Sequence, residues 1–223
     1  MTADLLAGFS SATVSDALDR LGRPGALLGI APLFDSARLR GPAFTVRYVT
    51  AGFPPGTVGD YLDDVPPGAV VVLDNGGRTD CTVWGDILTA MAADRGVGGT
   101  VIDGVCRDVH RALGIGYPIY SRGRFMRTGK DRVEVSDVGR PVTVGGVQVR
   151  PGDLLVGDSD GVVAVPQDLI DGVAEICTQI SAREEAILAD VLDGTSLAEA
   201  RRRHGYHLLQ RPAADGRPRP GAG

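Results

Sequence analysis

The central part of the chain alternates between short apolar runs and an amphipathic stretch. The runs at 69–74 (AVVVLD) and 100–103 (TVID) are mainly apolar up to a final aspartate, which is typical of strands buried on both faces. Between them, apolar residues recur with helical spacing up to about Arg95–Gly96: Val83, Trp84, Ile87, Leu88 and Met91. The pattern predicts a strand–helix–strand unit, and a crossover of this length implies parallel strands.

The flanking patterns predict both helices and antiparallel strands. In chain order these are a helix at 10–21 with a hydroxyl cap, a strand at 41–50, a short helix at 109–113, a strand at 118–121, successive antiparallel strands over 142–165 with a hairpin at Gly145–Gly146, and a long helix at 168–192. Residues 53–68 hold two proline-rich turns around a short helical piece. The predicted fold class is therefore α/β with a mixed sheet.

Chain length and composition limit the possible functions. The 223 residues are enough for one full core, so we expect a single catalytic domain over 1–195, then a short helix and a disordered Pro/Gly/Arg-rich tail over 196–223. A net charge of −5, without basic blocks interleaved with aromatics, argues against nucleic acid as a partner. Three cysteines without a CxxC pair, and no apolar run of 18 residues, predict a reduced cytoplasmic protein without a membrane partner.

Several common catalytic motifs are absent from the sequence. There is no Walker loop, HExxH or GxSxG motif, and the glycines at 96–99 precede a strand, unlike those of a dinucleotide-binding fingerprint. Lys130 is the only lysine and lies in a polar, charged loop, whereas a Schiff base requires a desolvated amine. An enzyme that acts on carbonyl compounds would here use a metal instead.

Charged residues follow both strands of the central unit. Asp86 lies in the first turn of the predicted helix, and Arg107 and Asp108 come directly after the second strand. Because parallel strands end at the same edge of a sheet, where ligands of α/β proteins bind, these side chains are expected to lie together. A plainer interpretation also fits, in which Asp86 is only a favourable first-turn acid and Arg107–Asp108 a solvated helix start.

The residue types at this edge suit a small acid and a divalent metal. Amides at the helix start, from Gly85, Ile87 and Leu88, can bind a carboxylate, and the Arg107 guanidinium can bind it in a bidentate manner. Asp108 offers a hard oxygen ligand for Mg²⁺ or Mn²⁺.

Several blocks of the sequence, in order along the chain, resemble the RraA-like proteins, which include 4-hydroxy-4-methyl-2-oxoglutarate aldolases. These blocks are residues 76–108, GYPIYSRG, PVTVGGVQVRPGDLLVGDSDGVVAVP and the helix with Arg183-Glu184-Glu185. The resemblance spans about residues 10 to 190. It implies an α/β sandwich of the swivelling ββα kind, assembled as homotrimers or hexamers with sites at subunit interfaces.

The resemblance also implies roles for individual residues. Arg107 and the amides of Ile87 and Leu88 would hold the pyruvyl carboxylate, Asp108 would reach the metal, and Asp86 would orient a water that transfers protons. Glu184 or Glu185 of a neighbouring subunit would approach the metal waters, although plain surface charge explains these glutamates equally well.

The implied activity is metal-dependent cleavage of a 2-oxo acid to give pyruvate, either by retro-aldol reaction of a 4-hydroxy-4-methyl-2-oxoglutarate-like compound or by decarboxylation of oxaloacetate. The family also contains non-catalytic regulators that bind an endoribonuclease, which are expected to lack the acidic residues of the site. Arg47, Arg122 and Arg124 are unranked candidates for a second substrate carboxylate.

Overall fold

The computed structural model describes residues 5–206. Its helices and strands are, in order, α1 (Ser11–Arg20), β1 (Ala31–Pro32), β2 (Leu39–Thr50), β3 (Val70–Thr82), α2 (Asp86–Asp94), β4 (Gly99–Cys106), α3 (Val109–Ile115), β5 (Ile119–Arg124), β6 (Val133–Val138), β7 (Val142–Val144), β8 (Val147–Val149), β9 (Leu154–Asp158), β10 (Gly161–Val165), α4 (Ile170–Leu192) and α5 (Leu197–Arg203). Short 3₁₀ helices occupy Asp60–Asp64 and Gln167–Leu169.

Four parallel strands form the centre of the sheet, in the order β2-β3-β4-β5. Helix α2 connects β3 to β4 and α3 connects β4 to β5, so the predicted strand–helix–strand unit is confirmed. All eight residues of β4 are buried, which explains the continuously apolar character of its core.

Antiparallel strands extend the sheet on both sides. The first part of β2 pairs with β9 and its second part with β6, while β9 continues to β10. At the opposite edge β1 pairs with β5. The hairpin β7–β8 forms a separate two-stranded sheet around Gly145–Gly146, as predicted.

Three clusters of buried apolar side chains hold these layers together. One lies between the parallel strands and helices α2 and α3, one between the same strands and the β7–β8 hairpin, and one between strands β9 and β10 and helices α1 and α4. Both faces of the parallel strands are thus covered, which fixes the position of their carboxyl ends.

Some boundaries differ from the sequence predictions. Helix α2 begins at Asp86, so Val83 and Trp84 precede it instead of starting it, because β3 continues to Thr82. The two-residue strand β1 and strand β6 were not predicted. Helix α5 agrees with the short helix predicted after residue 195, but the boundary between domain and tail stays a prediction, and the tail from Arg211 lies outside the described residues.

Within residues 5–206, no helix is both long and apolar enough to cross a membrane.

Candidate active site

The loops after β3 and β4 bring the predicted site residues to one edge of the sheet. Thr82, the last residue of β3, lies beside Val105 near the end of β4. The Arg107 N–H donates a hydrogen bond to the carbonyl oxygen of Trp84 (3.0 Å), which joins the two loops directly. Asp86 then begins α2 and Asp108 precedes α3.

A network of threonine hydroxyls shapes the loop before α2. The Thr82 hydroxyl donates to the Trp84 carbonyl oxygen (3.0 Å), and the buried Trp84 indole donates to the Thr89 hydroxyl (2.9 Å). The Thr89 hydroxyl in turn donates to the Gly85 carbonyl oxygen (2.8 Å). Sequence reasoning missed these residues, since nothing in local spacing indicates that their hydroxyls support the helix start.

Arg107 and Asp108 form an ion pair. The distance from Arg107 Nε to Asp108 Oδ2 is 3.2 Å, and the side chains are 39% and 35% exposed. Both groups are therefore reachable from solvent, and the pairing through Nε leaves the two terminal nitrogens of the guanidinium at the outer end of the side chain. These nitrogens present the planar fork that suits a carboxylate.

Gly85 leaves the space that this ion pair occupies. A Cβ atom at position 85 would lie 3.0 Å from Asp108 Oδ2 and 3.4 Å from Arg107 Nε. The φ angle of Gly85 is −146°, which any residue adopts, so the glycine matters here for space and not for conformation.

Asp108 has a left-handed backbone conformation, with φ 53° and ψ 35°. Its side chain makes no capping hydrogen bond to α3, although it occupies the cap position. The carboxylate therefore does not accept a hydrogen bond from the first amides of α3, as an aspartate at a helix start usually does. Residues held in this region at a cost are often found at functional sites.

The start of α2 provides amides, but one of them is already engaged. The Asp86 carboxylate accepts a hydrogen bond from the Ile87 N–H (2.9 Å), so a bound carboxylate would compete with Asp86 for that donor. The first intrahelical bond runs from the Thr89 N–H to Gly85, so Leu88 lies in the turn whose amides have no intrahelical acceptor.

Two cavities meet at Arg107. The first, of about 220 Å³, is lined by Asp86 and Leu88 of α2, by Arg107, and by Val58 and Gly59. The second, of about 260 Å³, is lined by residues at the ends of β4 and β5 and just beyond them: Cys106, Arg107, Asp108, Val109, Arg124, Phe125 and Met126. A larger cavity of about 550 Å³ beside α1 has Asp160 as its only ionisable lining residue, so it lacks the paired charges of this site.

The residues at this edge fit a metal ion that keeps most of its waters. Within residues 5–206, no group of three His, Cys, Asp or Glu side chains is placed to hold a metal. Mg²⁺, however, commonly binds through one or two carboxylates and retains several waters. Asp108, half-exposed and engaged through one oxygen by Arg107, suits the role of such a single carboxylate ligand.

The three other arginines considered from sequence are held by the protein itself. Arg47 donates to the Pro141 carbonyl oxygen (2.8 Å), and Arg122 pairs with the buried Asp103. Arg124 donates to the Leu33 carbonyl oxygen (3.0 Å) and is the one that also lines the second cavity.

Glu184 and Glu185 lie apart from the two cavities, exposed on α4. Partial burial and the nearby Asp16 carboxylate raise the pKa of Glu184. Since neither glutamate lines the cavities of its own chain, either could reach such a site only from another subunit.

Comparison with known proteins gives relatives of both sequence and fold. Protein DlpA of Legionella pneumophila is 38% identical over 200 residues, which cover 88% of this chain and 32% of DlpA; the chain thus spans about a third of that relative's length. A Halalkalibacterium halodurans protein named "Putative 4-hydroxy-4-methyl-2-oxoglutarate aldolase" is 34% identical over 181 residues, covering 78% of this chain and 80% of the relative.

Solved structures agree with this result. An uncharacterized protein from Pseudomonas syringae has a TM-score of 0.83 at 42% identity, covering 90% of this chain and 96% of that one. Streptomyces coelicolor RraAS2, described as an unusual member of the RNase ES inhibitor RraA protein family, has a TM-score of 0.75 at 31% identity, covering 82% of this chain and 94% of that one. The expected α/β fold is confirmed. The family model described as RraA-like, Aldolase/RraA, matches residues 11–164, and this chain belongs to that family.

Proposed function

We propose that this protein is a divalent-metal-dependent carbon–carbon lyase, which cleaves a small 2-oxo acid and releases pyruvate. The observation that carries the proposal is the Arg107–Asp108 ion pair, located beside the start of α2 and a cavity of about 220 Å³. Relatives that carry the name "Putative 4-hydroxy-4-methyl-2-oxoglutarate aldolase" support the reaction class.

In this proposal Arg107 binds the substrate carboxylate through the terminal nitrogens of its guanidinium, because Nε already contacts Asp108. The Leu88 amide and, in competition with Asp86, the Ile87 amide add hydrogen bonds at the positive end of α2. Gly85 contributes by leaving room for the ion pair. Together these groups orient the 2-oxo acid with its pyruvyl part toward Asp108.

Asp108 would hold Mg²⁺ or Mn²⁺ in this site. When bound, the cation would supply positive charge that stabilises the negative charge that develops on the 2-oxo oxygen as the enolate forms.

Asp86 would handle the proton in the aldol reaction, through a water molecule. The substrate 4-hydroxyl loses its proton as the C3–C4 bond breaks, C4 becomes a carbonyl carbon, and the bonding electrons remain on the pyruvyl fragment as its enolate. Protonation of C3 then gives pyruvate. Decarboxylation of oxaloacetate yields the same enolate without the first proton transfer, so one site serves both substrates.

The substrate-binding groups are expected to be completed by other subunits of a homotrimer or hexamer. Ile87 lines the first cavity and Met126 the second, yet their exposed fractions are 78% and 75%. Large apolar side chains that are exposed beside a site are typical of a surface that another subunit covers. Glu184 or Glu185 of that subunit would then approach the metal waters.

The decisive variant is Asp108→Asn, because asparagine tolerates the left-handed conformation but does not carry the charge. We expect Mn²⁺-dependent release of pyruvate from oxaloacetate, coupled to lactate dehydrogenase, to fall about 100-fold. A reaction with Mn²⁺ and no protein gives the blank. Asp131→Asn is the matched control, since Asp131 has φ 62° but lies in an exposed turn. Equal rates for the two variants would refute the assignment of Asp108.

A second candidate function is regulation of an endoribonuclease, which the likeness to RraAS2 favours. This function requires a binding surface and not a metal site. A pull-down of the wild-type protein with an endoribonuclease, run beside the lyase assay, separates the two. Binding that persists in Asp108→Asn, together with no wild-type pyruvate release, would favour the regulator.

A further inference from the structure

The first cavity beside Arg107 has a wall that comes from outside the strand–helix–strand unit. Val58 and Gly59 line this cavity together with Asp86 and Arg107. They belong to the proline-rich segment 52–59, which contains no helix or strand. The position of this wall therefore depends on the hydrogen bonds and packing contacts that the segment makes with its neighbours.

Glu134 on β6 holds the segment by its backbone. Its Oε2 atom accepts hydrogen bonds from the Gly52 N–H (3.1 Å) and the Gly56 N–H (2.7 Å). The next residue of β6, Val135, donates its N–H to the Thr57 carbonyl oxygen (3.0 Å). The two amide hydrogen bonds lower the pKa of Glu134, so the carboxylate that accepts them is ionised at neutral pH.

The far end of the segment is fixed against the cavity itself. The Tyr48 hydroxyl donates to the Val58 carbonyl oxygen (2.5 Å). Gly59 then packs on Leu88, and a Cβ atom at position 59 would lie 2.9 Å from Leu88 Cδ2. The φ angle of Gly59 is −144°, outside the left-handed region that favours glycine, and the contact that limits a side chain at this position is the one with Leu88.

Two apolar side chains line the cavity beside Gly59. Val58 from the segment and Leu88 from α2 line the same cavity, and its charged lining residues are Asp86 and Arg107. A ligand whose carboxylate is bound by Arg107 would thus place its remaining carbon atoms in a space whose walls include Val58, Gly59 and Leu88. An additional methyl group on this wall would reduce the room for those atoms.

We propose that Gly59 determines the size of the group that the substrate carries beyond its pyruvyl part, and that Glu134 is a positioning residue that holds this wall in place. The inference rests on the proposed function, because it takes the first cavity as the binding site of a 2-oxo acid.

The specificity test measures binding of uncleavable ligands of increasing length. Pyruvate, 2-oxobutanoate and 2-oxopentanoate have no 4-hydroxyl group, and their Kd values are measured by titration calorimetry in the presence of Mn²⁺. In Gly59→Ala we expect the Kd of 2-oxopentanoate to rise about tenfold, as for one methyl group in a tight apolar pocket, while that of pyruvate changes less than about twofold. Gly172→Ala on α4 is the control, because open space surrounds that position.

The positioning test follows the segment itself by amide hydrogen exchange. Exchange in residues 52–57 should accelerate about tenfold in Glu134→Ala, because both amides lose their acceptor, and much less in Glu134→Gln, which retains an acceptor oxygen. Glu175→Gln, on the exposed face of α4, is the matched control and should leave the segment unchanged. Unaltered exchange in Glu134→Ala would refute the role of Glu134.

The binding results separate this inference from the proposed function. If wild-type protein binds pyruvate and Gly59→Ala weakens all three ligands equally or none, the size-determining role of Gly59 is wrong and the lyase proposal stands. If wild-type protein binds none of the three acids, the proposed function fails together with the role of Gly59, while the exchange data still decide whether Glu134 holds the segment.

Discussion

Asp108 shows how a single position combines an energetic cost with a chemical role. Among residues 5–206, it and Asp131 are the two non-glycine residues with positive φ, and Asp131 lies in an exposed turn. The left-handed conformation costs a non-glycine residue about 1 kcal/mol. Asp108 does not recover this cost by capping α3, and its carboxylate instead contacts Arg107. Local sequence cannot predict this, because the conformation depends on how β4 passes into α3.

Gly85 offers a direct test of how closely this ion pair must be placed. Gly85→Ala should keep the fold, because a φ angle of −146° suits alanine. Its added Cβ would lie only 3.0 Å from the present position of Asp108 Oδ2 and would displace that carboxylate. We expect pyruvate release to fall about tenfold, because small displacements of catalytic groups are costly. The free energy of unfolding should change by less than about 1 kcal/mol. Urea unfolding and the coupled assay measure both. A fully active variant would show that the spacing is not critical.

Strands and helices were predictable where the hydrophobic pattern alone decides the structure. The buried core of β4 and helices α1 and α4 follow from apolar runs and helical spacing. The second half of β3 was not predicted, because Gly76 and Gly77 have positive φ and the pairing with β4 shifts register after Asp74. Strand β6 has the sequence VEVSDV, which contains no continuous apolar run, and it is defined by its pairing with β2, which is distant in sequence.

The attachment of α1 to the sheet predicts a pH-dependent contribution to stability. Asp158, at the end of β9, accepts hydrogen bonds from the Ser11 N–H (2.7 Å) and the Ser11 hydroxyl (2.6 Å) at the start of α1. Burial alone would raise the pKa of Asp158, but these bonds outweigh it and the net effect is a lowered pKa. The ionised carboxylate is therefore the form that binds α1.

We expect Asp158→Asn to lower the free energy of unfolding by about 1–2 kcal/mol at pH 7. Because the pKa is lower in the folded state, the advantage of aspartate is fully present above its unfolded pKa of about 3.9 and is lost as pH falls through the folded value. Urea unfolding of both proteins between pH 7 and pH 3.5 measures the difference. A gap that does not narrow below about pH 4 would contradict this explanation.

At the scale of the whole molecule, the sequence contains two groups of residues for the proposed site, one around Arg107 and one on α4, but it does not specify how the two groups lie in space. Because parallel strands end at one edge of a sheet, the sequence predicts that Asp86, Arg107 and Asp108 lie together. In the structure Asp86 and Arg107 line one cavity and Arg107 pairs with Asp108, while the catalytic roles of the three residues stay a prediction. Glu184 and Glu185 lie on α4, which packs with α1 against β9 and β10. Their proposed approach to the metal waters depends on how subunits assemble, which no periodicity within one chain can specify.

Mixed oligomers test whether a complete site needs two subunits. Asp108→Asn and the double variant Glu184→Gln/Glu185→Gln are expected to be nearly inactive separately. The two variants are co-expressed with different tags and purified as mixed oligomers. About a quarter of the sites should then contain Asp108 from one subunit and intact glutamates from its neighbour, because each condition is met with a probability of about one half. Pyruvate release should recover to a similar fraction of the wild-type rate.

A mixture of Asp108→Asn with Arg107→Ala is the matched control. These residues form an ion pair within one chain, so each variant lacks a group that must come from the same subunit, and no site in the mixture is complete. Full activity of the double glutamate variant would mean that Glu184 and Glu185 are surface charges only. Recovery in the control mixture would instead show that one site takes Arg107 and Asp108 from different subunits, since mixing can restore only groups that come from different chains.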